Sequence, residues 1–231
     1  MALAVARTGM AQVGPATIAW VRTGVVVLAS ELDVGNLSEE DLERAAGFGA
    51  VRRQQFLLGR SLVATLVRGL FPDVTDWVVG TRACESCGLP HGPVEVTGVP
   101  IVAGVSYAPG MAVAAVAPSR RIARLGVDVE VAHATSAREH DLLHLLGSSN
   151  EPVLRRWTRI EAVLKADGRG LLVEPELVQV RRGIGRIPGA SSRYHVSDVA
   201  GPDGYLISLA LLRQPWVGAA AWAAGPRPAM W

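Results

Sequence analysis

Lysine is almost missing from this chain. Every one of the 23 Lys and Arg positions but Lys165 is arginine. The bias reads first as a compositional preference for Arg. It also raises a second possibility, that Lys165 marks a place where a compact ammonium serves and a planar guanidinium does not. One residue does not decide between the two. Cysteine is scarce as well: Cys84 and Cys87 are too few for a disulfide framework, which points to a reducing, cytoplasmic setting. No sign of charge is in large excess. A net charge of +2 gives no bulk electrostatic case for a nucleic-acid partner. Long apolar runs are lacking too. The run at residues 8–21 is broken by Gln12, Gly14 and Pro15 and bounded by Arg7 and Arg22, so no membrane span is expected. What is present is 49% hydrophobic residues in 231, which excludes a disordered chain and supplies one large or two small cores.

Patterning predicts an α+β chain. Residues 1–17 read as an irregular extension and 18–32 as one or two Val-rich strands, the run from Gly24 to Ala29 among them. Ser38 is an N-cap followed by the acids Glu39, Glu40 and Asp41. Residues 52–70 repeat apolar side chains at helical spacing until Pro72 ends them. A strand is expected at 76–79, a turn-rich stretch at 84–100, and a hairpin at 101–106 and 111–117 around Ala108-Pro109-Gly110. The second half repeats the theme. It gives a strand at 125–131, helices at 136–146 (capped by Ser136) and 153–166, and strands at 178–180, 194–199 and 205–212. Each half therefore reads as strand, helix, then several strands, with 1–117 as the N-terminal half and 118–231 as the C-terminal half.

Two segments carry chemistry. In Gly126-Val127-Asp128-Val129-Glu130, strand alternation puts both carboxylates on one face and both valines on the other. Neighbouring carboxylates repel unless a cation neutralises them, and hard oxygen donors in this order suit Mg²⁺. The plain alternative is an acidic solvent face on an edge strand. In the segment from Trp157 to Leu171, Glu161 and Lys165 are i, i+4 neighbours on a helix that Gly168 and Gly170 close. The plain alternative there is a surface ion pair on an ordinary amphipathic helix, contributing about 0.3–0.5 kcal/mol.

Taken together, Gly-Val-Asp-Val-Glu and, one helix later, Trp157-Thr158 with Glu161-Ala162, Lys165 and Gly168-x-Gly170-Leu171 resemble the 4′-phosphopantetheinyl transferases of the surfactin-synthetase-activating type. Upstream, Glu43-Arg44-Ala45, the stretch from Arg53 to Arg60, Cys87-Gly88-Leu89-Pro90-His91-Gly92 and Val105-Ser106-Tyr107 fall in the family's order, so the likeness spans residues 25–212. The resemblance implies a pseudo-twofold monomer of two similar halves with coenzyme A in the cleft between them. It implies transfer of the 4′-phosphopantetheine arm of coenzyme A to a serine of an acyl or peptidyl carrier protein, in fatty-acid, polyketide or peptide assembly. Carried over by position, Asp128, Glu130 and Glu161 hold Mg²⁺ (or Mn²⁺), Glu161 is the base for the carrier serine, and Lys165 faces the scissile pyrophosphate. Arg44, Arg53 and Arg60 are cations for the coenzyme A phosphates, and Ser106 and Tyr107 lie beside the nucleotide.

Three positions depart from the family pattern. Ile160 stands where Lys or Arg precedes the glutamate, Leu89 stands in the Gly-x-Pro loop, and Tyr107 replaces a histidine. Arg52, Arg53, Arg82 and His91 are the groups able to compensate. The alternative reading is a divergent member that binds carrier proteins without catalysis or acts on another phosphate substrate. Other constellations are weaker: Cys84-x-x-Cys87 with His91 lacks a second Cys pair for zinc, and His140 and His144 lack the metalloprotease Glu. Two arginine groups, Arg155-Arg156-Arg159 and Arg181-Arg182-Arg186, are a solvated face that an acidic carrier helix would fit.

Overall fold

The computed structural model describes residues 8–22, 32–84, 87–89, 92–133 and 135–215. The expected strand at Gly24–Ala29, His91 and the C-terminal tail lie outside them. Among the described residues the class is α+β, with four α-helices and three antiparallel sheets. No helix there is long and apolar enough to cross a membrane.

Residues 8–17, expected to be irregular, belong instead to a hairpin. β1 (Thr8–Val13) and β2 (Ala16–Arg22) pair across a two-residue turn in which Gly14 has φ +57°. β1 is an edge strand and only half buried, so it carries no apolar run for periodicity to detect. α1 (Glu39–Ala46) starts at the predicted cap, where Ser38 Oγ accepts from the Asp41 amide at 3.2 Å. α2 (Ala50–Leu70) ends just before Pro72. Then come β3 (Val78–Thr81), β4 (Val94–Thr97), β5 (Ile101–Ala108) and β6 (Met111–Pro118). β3 begins two residues later than expected, and β4 lies within the stretch read as turns.

β7 (Ile122–Val131) opens the second half, followed by α3 (Ser136–Leu146) and α4 (Val153–Asp167). The α3 cap is Thr135 rather than Ser136, its Oγ1 accepting from the Arg138 amide. β8 (Gln179–Arg181), β9 (Ile184–Arg186), β10 (Tyr194–Val199) and β11 (Tyr205–Arg213) complete the described chain. β9 is three residues long, too short for a periodic signal.

The first sheet runs β1-β2-β6-β5, the second β7-β11-β10-β9-β8, and β3-β4 stand apart as a pair. In each half the first long strand pairs with the last, and the last with the one before it: β2-β6-β5, then β7-β11-β10. Three of the hydrophobic cores join the sheets to α2 and α4. Leu58, Leu62, Val63 and Val67 of α2 pack on Ala112, Ala114 and Val116 of β6. The other face of β6, with Val113 and Ala115, meets Val127, Val129, Ile207 and Leu209 of the second sheet. Beyond that sheet, Val163 and Leu164 of α4 pack on Tyr194, Val196 and Ala210. The order is thus helix, sheet, sheet, helix, a layered solution to burying one face of each element. It places β5 and β7 near one another and α4 directly over β7.

Candidate functional site

β7 presents the predicted alternation. Val127 and Val129 are buried between the sheets, while Asp128 and Glu130 face the helix side. Gly126 lets α4 approach: a Cβ there would stand 2.1 Å from the Ala162 carbonyl oxygen and 2.4 Å from the Ala166 nitrogen. No side chain larger than hydrogen fits that contact. The helix therefore lies with Lys165 and Glu161 above the acidic face of the strand.

Lys165 does not pair with Glu161, one turn earlier on its own helix. Its Nζ donates instead to Asp128 Oδ1 at 2.5 Å and to Ser106 Oγ at 2.9 Å. Ser106, reaching over from β5, donates to the same Asp128 oxygen at 2.9 Å and accepts from the Val129 amide at 3.3 Å. Asp128 is 4% exposed, so its charge is costly without a cation, and the half-buried Lys165 supplies one. The other oxygen, Asp128 Oδ2, is buried and has no hydrogen-bond partner among the described residues.

Glu161 makes no hydrogen bond or salt bridge among the described residues. Its pKa is raised, first by burial, and further by the charges of Asp128 and Glu130, with Lys165 and Arg138 acting in the opposite sense. The three predicted carboxylates are thus near enough to act on one another electrostatically. Glu130 accepts from Trp157 Nε1 at 3.1 Å and is paired with Arg138. Among the described residues no three His, Cys, Asp or Glu side chains are drawn together as a ready metal set. The donor chemistry still fits a hard cation, because neither Asp128 Oδ2 nor the Glu161 carboxylate has a hydrogen-bond donor among the described residues.

The predicted cations divide. Arg60 is 4% exposed; its Nε donates to Asp41 Oδ2 at 2.7 Å and its Nη2 to Thr81 Oγ1 at 2.7 Å. Thr81 closes the set by donating to Asp41 Oδ1 at 2.6 Å, and Arg44 Nη1 reaches Thr81 at 3.4 Å. Arg53 is exposed near the start of α2, and Arg52 stacks on Phe48, 4.3 Å from the ring centroid. Tyr107 lies against α2, where Gly59 makes room for it: a Cβ at Gly59 would stand 2.1 Å from the phenol oxygen. Its hydroxyl donates to the Phe56 carbonyl at 3.4 Å, and burial raises its pKa.

Between β5 and β7 a cavity of about 720 Å³ opens. Lys165, Arg60, Arg82 and Arg169 line it, and no acidic side chain is among its described lining residues. Gly104, Val105 and Val127 supply apolar wall. A smaller cavity of about 200 Å³ adjoins it on the side of Lys165 and Arg124. The larger volume is in the range of ligand sites, and its lining selects for negative charge.

The chain matches no family model and no curated protein.

The geometry also ranks the remaining sequence candidates. Ile160, in the place of a cation, is 4% exposed and belongs to the core between α4 and the second sheet. Leu89 is 60% exposed in a turn that the Cys84 and Leu89 backbones close. Arg159 is held by Asp198 and Glu151, Arg155 lies 3.9 Å from Asp198, and Arg156 donates to the carbonyls of Leu146 and Gly147. Arg156 thus ties α4 to the end of α3, and Arg159 ties α4 to β10 through Asp198. His140 and His144 are exposed on α3.

Sequence reasoning assigned no role to Asp41, Thr81, Asp167, Arg169 or Tyr194. Asp167 at the end of α4 is 6% exposed and bonded by Arg169 and, at 2.9 Å, by Tyr194 Oη. Burial acts to raise its pKa. The hydrogen bonds from Arg169 and Tyr194, with the charges of Arg169 and Arg124, outweigh that and hold it low. Tyr194 is pushed up to about 12 by burial and by the same carboxylate. The available signal was the Arg between two glycines at Gly168-Arg169-Gly170, directly after the helix that carries Lys165.

Proposed function

We propose that this chain is a 4′-phosphopantetheinyl transferase of the surfactin-synthetase-activating type, moving the phosphopantetheine arm of coenzyme A to a serine of an acyl or peptidyl carrier protein. The observation that carries the reading is the cluster of Lys165, Asp128 and Ser106, whose Lys165 lines a cavity that also bears Arg60, Arg82 and Arg169. The strand order repeated in the two halves supports the pseudo-twofold arrangement, with the boundary in the turn between β6 and β7.

In this reaction the carrier serine oxygen attacks the phosphorus that bears the pantetheine arm. The bond from that phosphorus to the bridging oxygen breaks, and adenosine 3′,5′-bisphosphate leaves. Positioning and neutralisation of charge dominate such a step. Glu161 takes the serine proton; its raised pKa moves a carboxylate toward the strength a base needs near neutral pH. Lys165, a compact ammonium already fixed by two acceptors, neutralises the leaving phosphate. Ser106 and Asp128 set the direction of that ammonium. Mg²⁺, or Mn²⁺ in its place, would be held by Asp128, Glu161 and Glu130 and would supply charge neutralisation at the phosphates. The Arg60 and Arg169 side chains receive the other phosphate groups.

Apo carrier protein incubated with the chain, coenzyme A and Mg²⁺ should gain the mass of one phosphopantetheine. No gain, with a control transferase active on the same carrier, overturns the reading. Glu161→Gln and Lys165→Arg should each slow the transfer.

One observation favours a second reading. Lys165 and Arg138 already sit on Asp128 and Glu130, so the acidic face is neutralised without metal. A chain that keeps the fold and only docks carrier proteins would need no more than this. It would form a carrier complex on a sizing column without Mg²⁺ or coenzyme A. Stabilisation by coenzyme A together with Mg²⁺, and by neither alone, separates the two in favour of transfer.

A further inference from the structure

Three aspartates are the only buried acids among the described residues: Asp41, Asp128 and Asp167. Each is bonded to a different cation of the 720 Å³ cavity. Asp41 holds Arg60, Asp128 holds Lys165, and Asp167 holds Arg169. Burying a carboxylate is expensive, and pairing it with a cation does not by itself return net stability. Repetition of the arrangement at three separate points around one cavity therefore has a use beyond holding the fold. That use is to fix long, flexible cations in one place before an anion arrives.

We infer that Asp167, itself braced by Tyr194, is a positioning residue that holds Arg169 as a phosphate-binding group of the cavity, taking up part of the nucleotide clamp that Tyr107 and Ile160 do not provide. This rests on the transferase reading only for the identity of the ligand. Arg169 spends its Nε and Nη2 on Asp167. Its Nη1 makes no hydrogen bond among the described residues and remains a donor for a ligand oxygen. Arg60 follows a similar plan, with Nε on Asp41, Nη2 on Thr81, and no hydrogen bond from Nη1 among the described residues. Two guanidinium groups prepared in this way suit a ligand with two separated phosphate groups, such as a 3′-phosphorylated nucleoside diphosphate. Arg169 is about half exposed, so removing it does not empty a core.

The test is calorimetric titration of the full chain with coenzyme A and with adenosine 3′,5′-bisphosphate. It uses the parent, Arg169→Ala, Asp167→Asn, the double variant and Tyr194→Phe. Arg169→Ala should weaken binding about 10-fold, the loss expected for a charged hydrogen bond. Asp167→Asn should weaken it by a similar factor, and the double variant should be no weaker than Arg169→Ala alone. Tyr194→Phe keeps the ring in the core and should give a smaller loss in the same direction; it decides the matter if Asp167→Asn does not fold. Unchanged affinity in Arg169→Ala, or losses that multiply in the double variant, overturns the inference while leaving the cavity a nucleotide site. Failure of the parent to bind either probe overturns the nucleotide reading itself.

Discussion

Lys165 reaches across to Asp128 at 2.5 Å and leaves Glu161, its neighbour one turn away, with no hydrogen bond or salt bridge among the described residues. The choice follows from solvation. Asp128 is nearly inaccessible to water and Glu161 is not, so the ammonium offsets the larger penalty.

Lys165→Met should leave Asp128 buried without a cation and lower the unfolding free energy by about 1–3 kcal/mol, as for other unsatisfied buried groups. Adding Asp128→Asn should return part of that loss. Urea unfolding of the two single variants and the double variant measures the coupling, and strictly additive losses would contradict the pairing.

Glu161 holds its proton more tightly in the folded chain than the ordinary 4.5. Its favourable contribution is therefore present in acid and is lost as pH rises through the folded value. Without divalent cation, Glu161→Gln should be more stable than the parent at pH 7, and the two should converge by pH 4. Added Mg²⁺ should raise the melting temperature of the parent more than that of the variant. Thermal unfolding across this pH range checks both.

Asp167 behaves in the opposite sense. Its pKa is lowered from 3.8, so its contribution is present above that value and lost as pH falls through the folded one. Asp167→Asn should cost about 1–3 kcal/mol at neutral pH, and the difference from the parent should shrink in strong acid. Chemical denaturation at several pH values tests the direction; a constant difference would show that ionisation is not its source.

Gly126→Ala should destabilise by about 1–3 kcal/mol, the usual range for overpacking. The clash is with the backbone of α4, which no rotamer change relieves. A melting temperature equal to the parent's would mean that α4 does not lie on β7 as described.

Much of this arrangement is legible in the sequence. α2, α4 and β7 follow from apolar spacing, from Pro72 and from the valines that alternate with Asp128 and Glu130. What was not readable has two physical sources. β1 and β9 are an edge strand and a three-residue strand, and neither has enough buried positions to leave a pattern. The other source is distance along the chain. Ser106 and Lys165 are 59 residues apart, and Arg60 and Asp41 are 19 apart, so no local spacing announces that they meet. The i, i+4 rule named a partner for Lys165 on its own helix. Burial of Asp128, a property only the fold confers, selected another.

The scarcity of lysine has a practical side. The only ε-amino group in the chain stands at the cavity, half-buried against a carboxylate. A reagent selective for amines therefore has one side-chain target, and once the α-amine is blocked each adduct counts occupancy of one place. Protection of that amine by added nucleotide, followed by mass, turns a compositional accident into a built-in reporter of what enters the cleft.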